Sequence, residues 1–348
     1  MLDPFRRDSH YVPRMYLKPW ETTGGQVWTY RILVPHRNVH LWKLFSSKSV
    51  AHHLHLYTQI AAGKETDEVE RWFDREFEAP AQEPIEKVLS NGRLTSDDWK
   101  CLISFLAAQD VRTPASFARK MKRWDESLPG LLEETMDKSL KKHENARRTG
   151  QAPAPTPPTD DREGLPLRVS VRRNPSGGGE IGAEMLGGRK LWVWTIKRAL
   201  LKHIKVLHKH HWTILLPPEG MTWFTSDDPV IRLNLSSPTK YNFNGGWNST
   251  GTCIFLPLGP AHLLYTQIGE RPPQRGERMI QEHADLVRKF TAEHAWRMVF
   301  AREQDGVVPL FRQRIVNEEE VQRERKQWAT WHEQQILAEQ EMDETGDS

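Results

Sequence analysis

Residues 221–230, Met-Thr-Trp-Phe-Thr-Ser-Asp-Asp-Pro-Val, constrain the chain more than any other stretch. An apolar, β-prone run ends at Trp223-Phe224 and meets Thr225, Ser226, Asp227 and Asp228 at once, before Pro229 fixes the exit. Successive side chains of a strand point to opposite faces, so such a strand end can gather a carboxylate and two hydroxyls at one place. The same short polar residues before a proline also build a turn.

The flanking sequence predicts how that stretch is used. Residues 212–216, the turn Pro217-Pro-Glu-Gly220 and residues 221–225 read as an antiparallel hairpin. Further strands are expected at 229–233, 253–258 and 262–268, then a helix over about 277–294 leading into the run Trp296-Arg-Met-Val-Phe-Ala301. Residues 191–211 have helical spacing with an apolar front and a basic back. Lys202, Lys205, Lys209 and His210 on that back are the candidate nucleic-acid contacts, and a solvated helix face is the plainer reading.

The first half of the chain has a different rhythm. A strand is expected over residues 26–34, where Val27, Trp28, Tyr30 and Ile32 supply bulk. Helical spacing follows from 66 to 89, with Pro80 and Pro84 expected to divide it. Thr95 precedes Asp97 and Asp98 as an N-cap, and the helix it opens carries Gln109 and Arg112 on one face. Residues 118–148 read as exposed helix, and residues 150–190 lose periodicity in Pro- and Gly-rich runs that predict a linker or long loop. The fold class is therefore α+β: a helical N-terminal half packed on a mainly antiparallel C-terminal sheet, with a Pro/Gly loop between. One domain over 1–316 is expected (helical to about 148, loop to about 190, sheet to about 316), then a charged helix and tail over 317–348.

A hydrophobic fraction of 37% and a charged fraction of 27% suit a soluble globular protein, and 14 Trp point to a large aromatic core. The net charge of +3 makes no strong case for a nucleic-acid footprint outside local clusters. Cys101 and Cys253 lack paired spacing and read as reduced core residues of a cytoplasmic protein. No apolar run is long enough to suggest a leader or a membrane span. The histidines at 36, 40, 52, 53 and 55 cluster loosely without a zinc-site spacing, and no metal is assigned to them.

His10-Tyr-Val-Pro13 with Tyr16-Leu17, Gln109 with Arg112-Thr-Pro114, Phe224-Thr-Ser-Asp227 with Pro229, and Pro257-Leu258 follow one another in an order with a precedent. Together they resemble a largely bacterial family known as a domain of unknown function, number four-two-three-eight. The resemblance spans roughly residues 8 to 300 and implies one unit, with no established reaction. Two functions compete. In the first, a nuclease-like hydrolase of phosphodiesters, His10 is the general acid or base and Asp227 the base or the ligand of a divalent metal, Mg²⁺ or Mn²⁺. Arg112 and Gln109 then hold the phosphate, with Tyr11, Thr225 and Ser226 as further substrate contacts. By analogy such a protein would be a toxic or defence effector. In the second, a non-enzymatic binding or sensing module, Arg112 pairs with Asp227 in a structural network that includes His10. The basic helix and the charged C-terminal helix are then the partner surfaces.

Overall fold

The computed structural model describes residues 5–61, 63–150, 166–173 and 179–344. The Ala/Pro run at 152–158, part of the Pro/Gly loop at 174–178 and the acidic end at 345–348 lie outside them. The chain divides into two units, Met1–Ser116 with Lys197–His332, and Phe117–Ile196 with Glu333–Ser348.

The two larger sheets of the first unit are antiparallel. One has four strands in the order Thr225–Ser226, Met298–Ala301, Gln26–Arg31 and Trp42–Ser46. Its apolar face joins Tyr30, Trp42, Phe224 and Val299 to Ala292, Ala295 and Val308. The strand expected over 26–34 forms as Gln26–Arg31, with Leu33–Val34 pairing separately with Ile315–Val316, and this early strand joins the sheet that ends next to Asp227. The other sheet has five strands, Thr213–Leu215, His262–Gln267, Cys253–Gly259, Ile231–Ser237 and Lys240–Asn242. Its Cys253–Gly259 strand is buried at every position, which explains an apolar run without alternation.

The expected hairpin of residues 212–225 does not form. Thr213–Leu215 pairs with His262–Gln267, whereas Thr225–Ser226 pairs with Met298–Ala301 in the other sheet. Between them the Trp223 amide donates to the Pro260 carbonyl at 2.7 Å. The Pro-Pro-Glu-Gly turn is local, but the apolar strands on either side find more burial with distant partners. Asp227 to Val230 is therefore a corner where the chain leaves one sheet at Ser226 and enters the next at Ile231.

Helices cover the sheets. Gln281–His294 lays Ala284, Val287 and Phe290 on Leu215, Ile231, Leu233, Phe255 and Leu263. Ser96–Val111 opens with a reciprocal capping box between Thr95 and Asp98, as its sequence predicts. Glu68–Phe73 and Ala79–Leu89 are joined by a π turn over Asp74–Glu78. Pro84 lies inside the second helix rather than dividing it, and Pro80 stands in that helix's first turn. A first-turn proline gives up no intrahelical hydrogen bond, so the irregularity moves upstream into the π turn. Gly259 is where this helix meets the sheet: a Cβ there would stand 2.5 Å from Leu89 Cδ2 and 3.3 Å from Pro19 Cβ.

The second unit carries most of the Pro114–Thr149 helix, the start of Arg189–Leu207 and a hairpin of Leu167–Arg173 with Gly179–Met185. That hairpin occupies part of the stretch expected to be a loop. Within this unit the fully buried Arg189 guanidinium donates to both Glu339 oxygens, at 3.1 and 3.0 Å. No helix among the described residues is long and apolar enough to cross a membrane.

Phe290 is 2% exposed at the centre of the helix-on-sheet contact. Phe290→Ala should cost about 3–5 kcal/mol and Phe290→Leu much less, read as a fall in urea midpoint with little change in m-value.

Candidate functional site

The motif residues meet one another in the core of the first unit. Tyr16 hydroxyl donates to the Pro257 carbonyl at 2.6 Å and lies 2.7 Å from Thr225 Oγ1, whose proton must fill the second bond. Burial raises the Tyr16 pKa far above its ordinary value, so the phenol stays neutral. Gln109 and Arg112, one helical turn apart, hold consecutive carbonyls of the N-terminal segment. Gln109 Nε2 donates to Tyr11 O at 2.7 Å, and Arg112 Nη2 to His10 O at 2.7 Å.

Arg112 is 1% exposed and its Nη1 bonds Glu78 Oε1 at 2.5 Å. The guanidinium lies 4.6 Å from the Phe73 ring centre, and its carbonyl accepts from the Tyr57 hydroxyl. Burial opposes the charge, but Glu78, Tyr57 and Glu70 outweigh it and hold the group above its ordinary pKa. The pairing of Arg112 with Asp227 expected for a structural network is thus corrected: its carboxylate partner is Glu78. The π turn brings Glu78 over the helix end, and Asp227 has other donors.

Those donors are backbone amides. Asp227 Oδ1 accepts from the Trp296 amide at 2.9 Å and Oδ2 from the Arg297 amide at 2.8 Å, while the Asp227 amide donates to Met298 O at 3.0 Å. Burial pushes the Asp227 pKa up to about 7, aided by Asp228 and opposed by the two amides. Asp228 Oδ1 accepts from Thr113 Oγ1 at 2.9 Å, and its amide reaches Ser226 Oγ at 3.3 Å. His294 Nδ1 lies 2.9 Å from the Asp228 carbonyl. His10, Arg112 and Asp227 therefore each close on a different partner.

The strand Asp8–His10 pairs with His52–Leu54, and residues of this segment line two clefts. His10 lines one of about 340 Å³ with Arg6, Glu70, Asp74 and Glu78. Its Nε2 is 3.2 Å from Lys48 O, its ring stacks on His52, and burial lowers its pKa. Burial pushes Glu70 up to about 7, and its Oε2 is enclosed without a hydrogen-bond partner. Nothing in the helical spacing of 66–89 marks Glu70 or Glu78.

Tyr11, the next residue, lines a second cleft of about 360 Å³ with Pro114, Trp296 and Arg297. Arg31 and His53 continue the wall, and Glu324, Arg325 and Trp328 of the Glu318–Ala329 helix close it. His53 and Trp328 stack with ring centres 3.7 Å apart, and burial holds the His53 pKa down at about 3. Arg297 lies over Trp296 at 4.5 Å and its Nε donates to both Glu324 oxygens at 3.0 Å. Arg31 is half-buried and makes no ion pair with a carboxylate among the described residues, and neither does Arg325. Burial, and then Arg325, lower the Arg31 pKa. In sequence, Arg31 was an ordinary polar strand position and Arg325 one charge among many.

The remaining candidates lie elsewhere. Lys202, Lys205 and Lys209 are exposed, His210 Nε2 meets Trp247 O at 2.8 Å, and none of the four lines either cleft. Both oxygens of Asp227, the residue considered for a metal, are engaged by amides, and metal-ligand spacing among described residues occurs instead at His55, Glu65 and His332.

Two expectations follow. Arg112→Ala leaves Glu78 without its partner and should cost about 3–5 kcal/mol, measured by urea unfolding. Asp227→Asn turns one acceptor into a donor facing an amide and should cost about 1–3 kcal/mol. A folded pKa of about 7 lies above the unfolded value, so the folded state binds the proton more tightly. The Asp227 contribution is fully present below the unfolded pKa and is lost as pH rises through 7. The margin of the wild type over Asp227→Asn should thus be larger at pH 5 than at pH 8.

Residues 9–305 match a family described as a protein of unknown function, DUF4238. No curated protein and no solved structure matches the chain. The match covers most of the 348 residues and every motif on which the buried network is built, and the chain belongs to the DUF4238 family.

Proposed function

We propose that the protein is a binding module whose cleft beside Tyr11 takes a small anionic ligand with a flat face. The observation that carries this reading is the pair Arg31 and Arg325, two cations on one cleft with no ion pair to a carboxylate among the described residues. Arg31 is half-buried and Arg325 exposed; like charges on one cleft repel, and an anion between them relieves the repulsion. Guanidinium forks suit carboxylate and phosphate oxygens, and Tyr11, Trp296 and Trp328 supply flat walls. A volume of about 360 Å³ is in the range of small-molecule sites. In this reading Arg112, Gln109, Thr225, Ser226 and Asp227 hold the cleft and touch no ligand.

A second reading, a nuclease-like or other hydrolase, has one observation in its favour. Glu70 and His10 line the opposite cleft, and a carboxyl with its pKa raised to about 7 is suited to proton transfer there. Glu70→Gln would then abolish turnover without loss of folding.

Nucleoside monophosphates and aromatic carboxylates are the probes for the first reading, with tryptophan fluorescence and thermal shift as readouts. A binder should quench fluorescence and raise Tm, and Arg31→Ala should weaken it at least tenfold, about 1.4 kcal/mol. The reading is wrong if no probe binds, or if binding survives in the Arg31→Ala, Arg325→Ala double variant.

A further inference from the structure

We propose that His55, Glu65 and His332 form a site for a divalent transition metal of the zinc class, one that ties His332 to the His55 and Glu65 segment within the first unit. His55 and Glu65 are ten residues apart and His332 comes from the far end of the chain, yet one ligand atom of each lies within 4.8 Å of the others. Two imidazoles and a carboxylate are a borderline-soft donor set suited to Zn²⁺, Co²⁺ or Ni²⁺ and ill-suited to Mg²⁺ or Ca²⁺. A tetrahedral ion with bonds of about 2.1 Å holds its ligand atoms about 3.4 Å apart. His332 Nε2 and Glu65 Oε1 are already 2.8 Å apart, joined by a hydrogen bond whose proton the ion would replace.

Two further features fit. His55 has a backbone φ of +55°, a left-handed conformation uncommon outside glycine that sets the direction of its side chain. Its Nδ1 lies 3.2 Å from Thr58 Oγ1, the kind of outer contact that orients a metal-binding imidazole. His55 and His332 stack with ring centres 3.8 Å apart, so an ion enters by turning the rings out of their parallel stack. Both rings are only half-buried and Glu65 is exposed, which leaves room for that turn and for water in the fourth position.

The site bears on the cleft because His53 and His55, two residues apart, stack on Trp328 and His332, four apart. An ion at His332 would hold Trp328, and with it Arg325, against the cleft wall.

The test uses the untagged full-length chain, stripped with a chelator and titrated with Co²⁺ and Zn²⁺. One ion per chain is expected, with visible Co²⁺ bands of low coordination number, displaced by Zn²⁺, and with a rise in Tm. Glu65→Gln and His332→Ala should each weaken binding at least about tenfold and remove the rise in Tm, whereas His36→Ala should change neither. Glu65→Gln can keep the hydrogen bond to His332, so its Tm without metal should match the wild type and separate lost binding from lost folding. Absence of saturable binding, or binding that persists in both variants, overturns the proposal.

Discussion

A carboxylate buried where no cation reaches it governs the first unit. Asp227 is 1% exposed, and its two oxygens are taken by consecutive amides, those of Trp296 and Arg297. Burying a carboxylate is costly unless its lone pairs are filled, and charge-assisted bonds to peptide N–H groups are among the stronger ways to fill them. The consequence is geometric. The corner after Ser226 and the entry to the Met298–Ala301 strand are fixed against each other, so strand pairing begins in one register. Trp296 and Arg297, held by their backbones, then have their side chains committed to the cleft wall.

The neighbouring groups extend this clamp to the rest of the unit. Asp228 reaches Thr113 at the end of the Ser96–Val111 helix, and Thr225 reaches Tyr16. Arg112 and Gln109 on that helix hold the carbonyls of His10 and Tyr11. Segments more than 200 residues apart in sequence, such as Tyr16 and Thr225, are thereby joined through polar atoms with few other partners within reach. A buried network of this kind specifies one arrangement because any other leaves donors or acceptors unfilled.

Much of this was legible in the sequence, for reasons that are local. The alternation at 26–31 and the Thr95 cap depend on nearest neighbours along the chain, and both appear where the pattern puts them. The polar cluster at 225–228 was also visible, because four short polar residues after an apolar run need an explanation. What each of them bonds was not. The choice of Glu78 over Asp227 for Arg112 depends on a π turn, which has no residue pattern of its own. The hairpin expected at 212–225 failed for a related reason: a turn says that two strands reverse direction, but their partners are decided by burial far away. The cleft residues Arg31 and Arg325 were invisible because what distinguishes them is that neither makes an ion pair with a carboxylate among the described residues, a property of space and not of sequence.

The cleft is assembled from two sources. Tyr11, Pro114, Trp296 and Arg297 lie within the residues that match the family, whereas Val321, Glu324, Arg325 and Trp328 lie beyond them. The family-matched residues thus supply the floor and one cation, Arg31, and the Glu318–Ala329 helix supplies the other, Arg325. Arg297 on the floor is already neutralised by Glu324, which binds its Nε through both oxygens. The positive charge left to a ligand in the proposed reading comes from Arg31 and Arg325 alone. A monoanion would neutralise one guanidinium and leave the other facing it across the cleft. A dianion, such as a phosphate monoester above its second pKa of about 6, balances both. The same reasoning makes Glu324 a gate on charge, because removing it would leave Arg297 only its longer 3.8 Å pair with Glu320 and shift the preference toward ligands of higher negative charge.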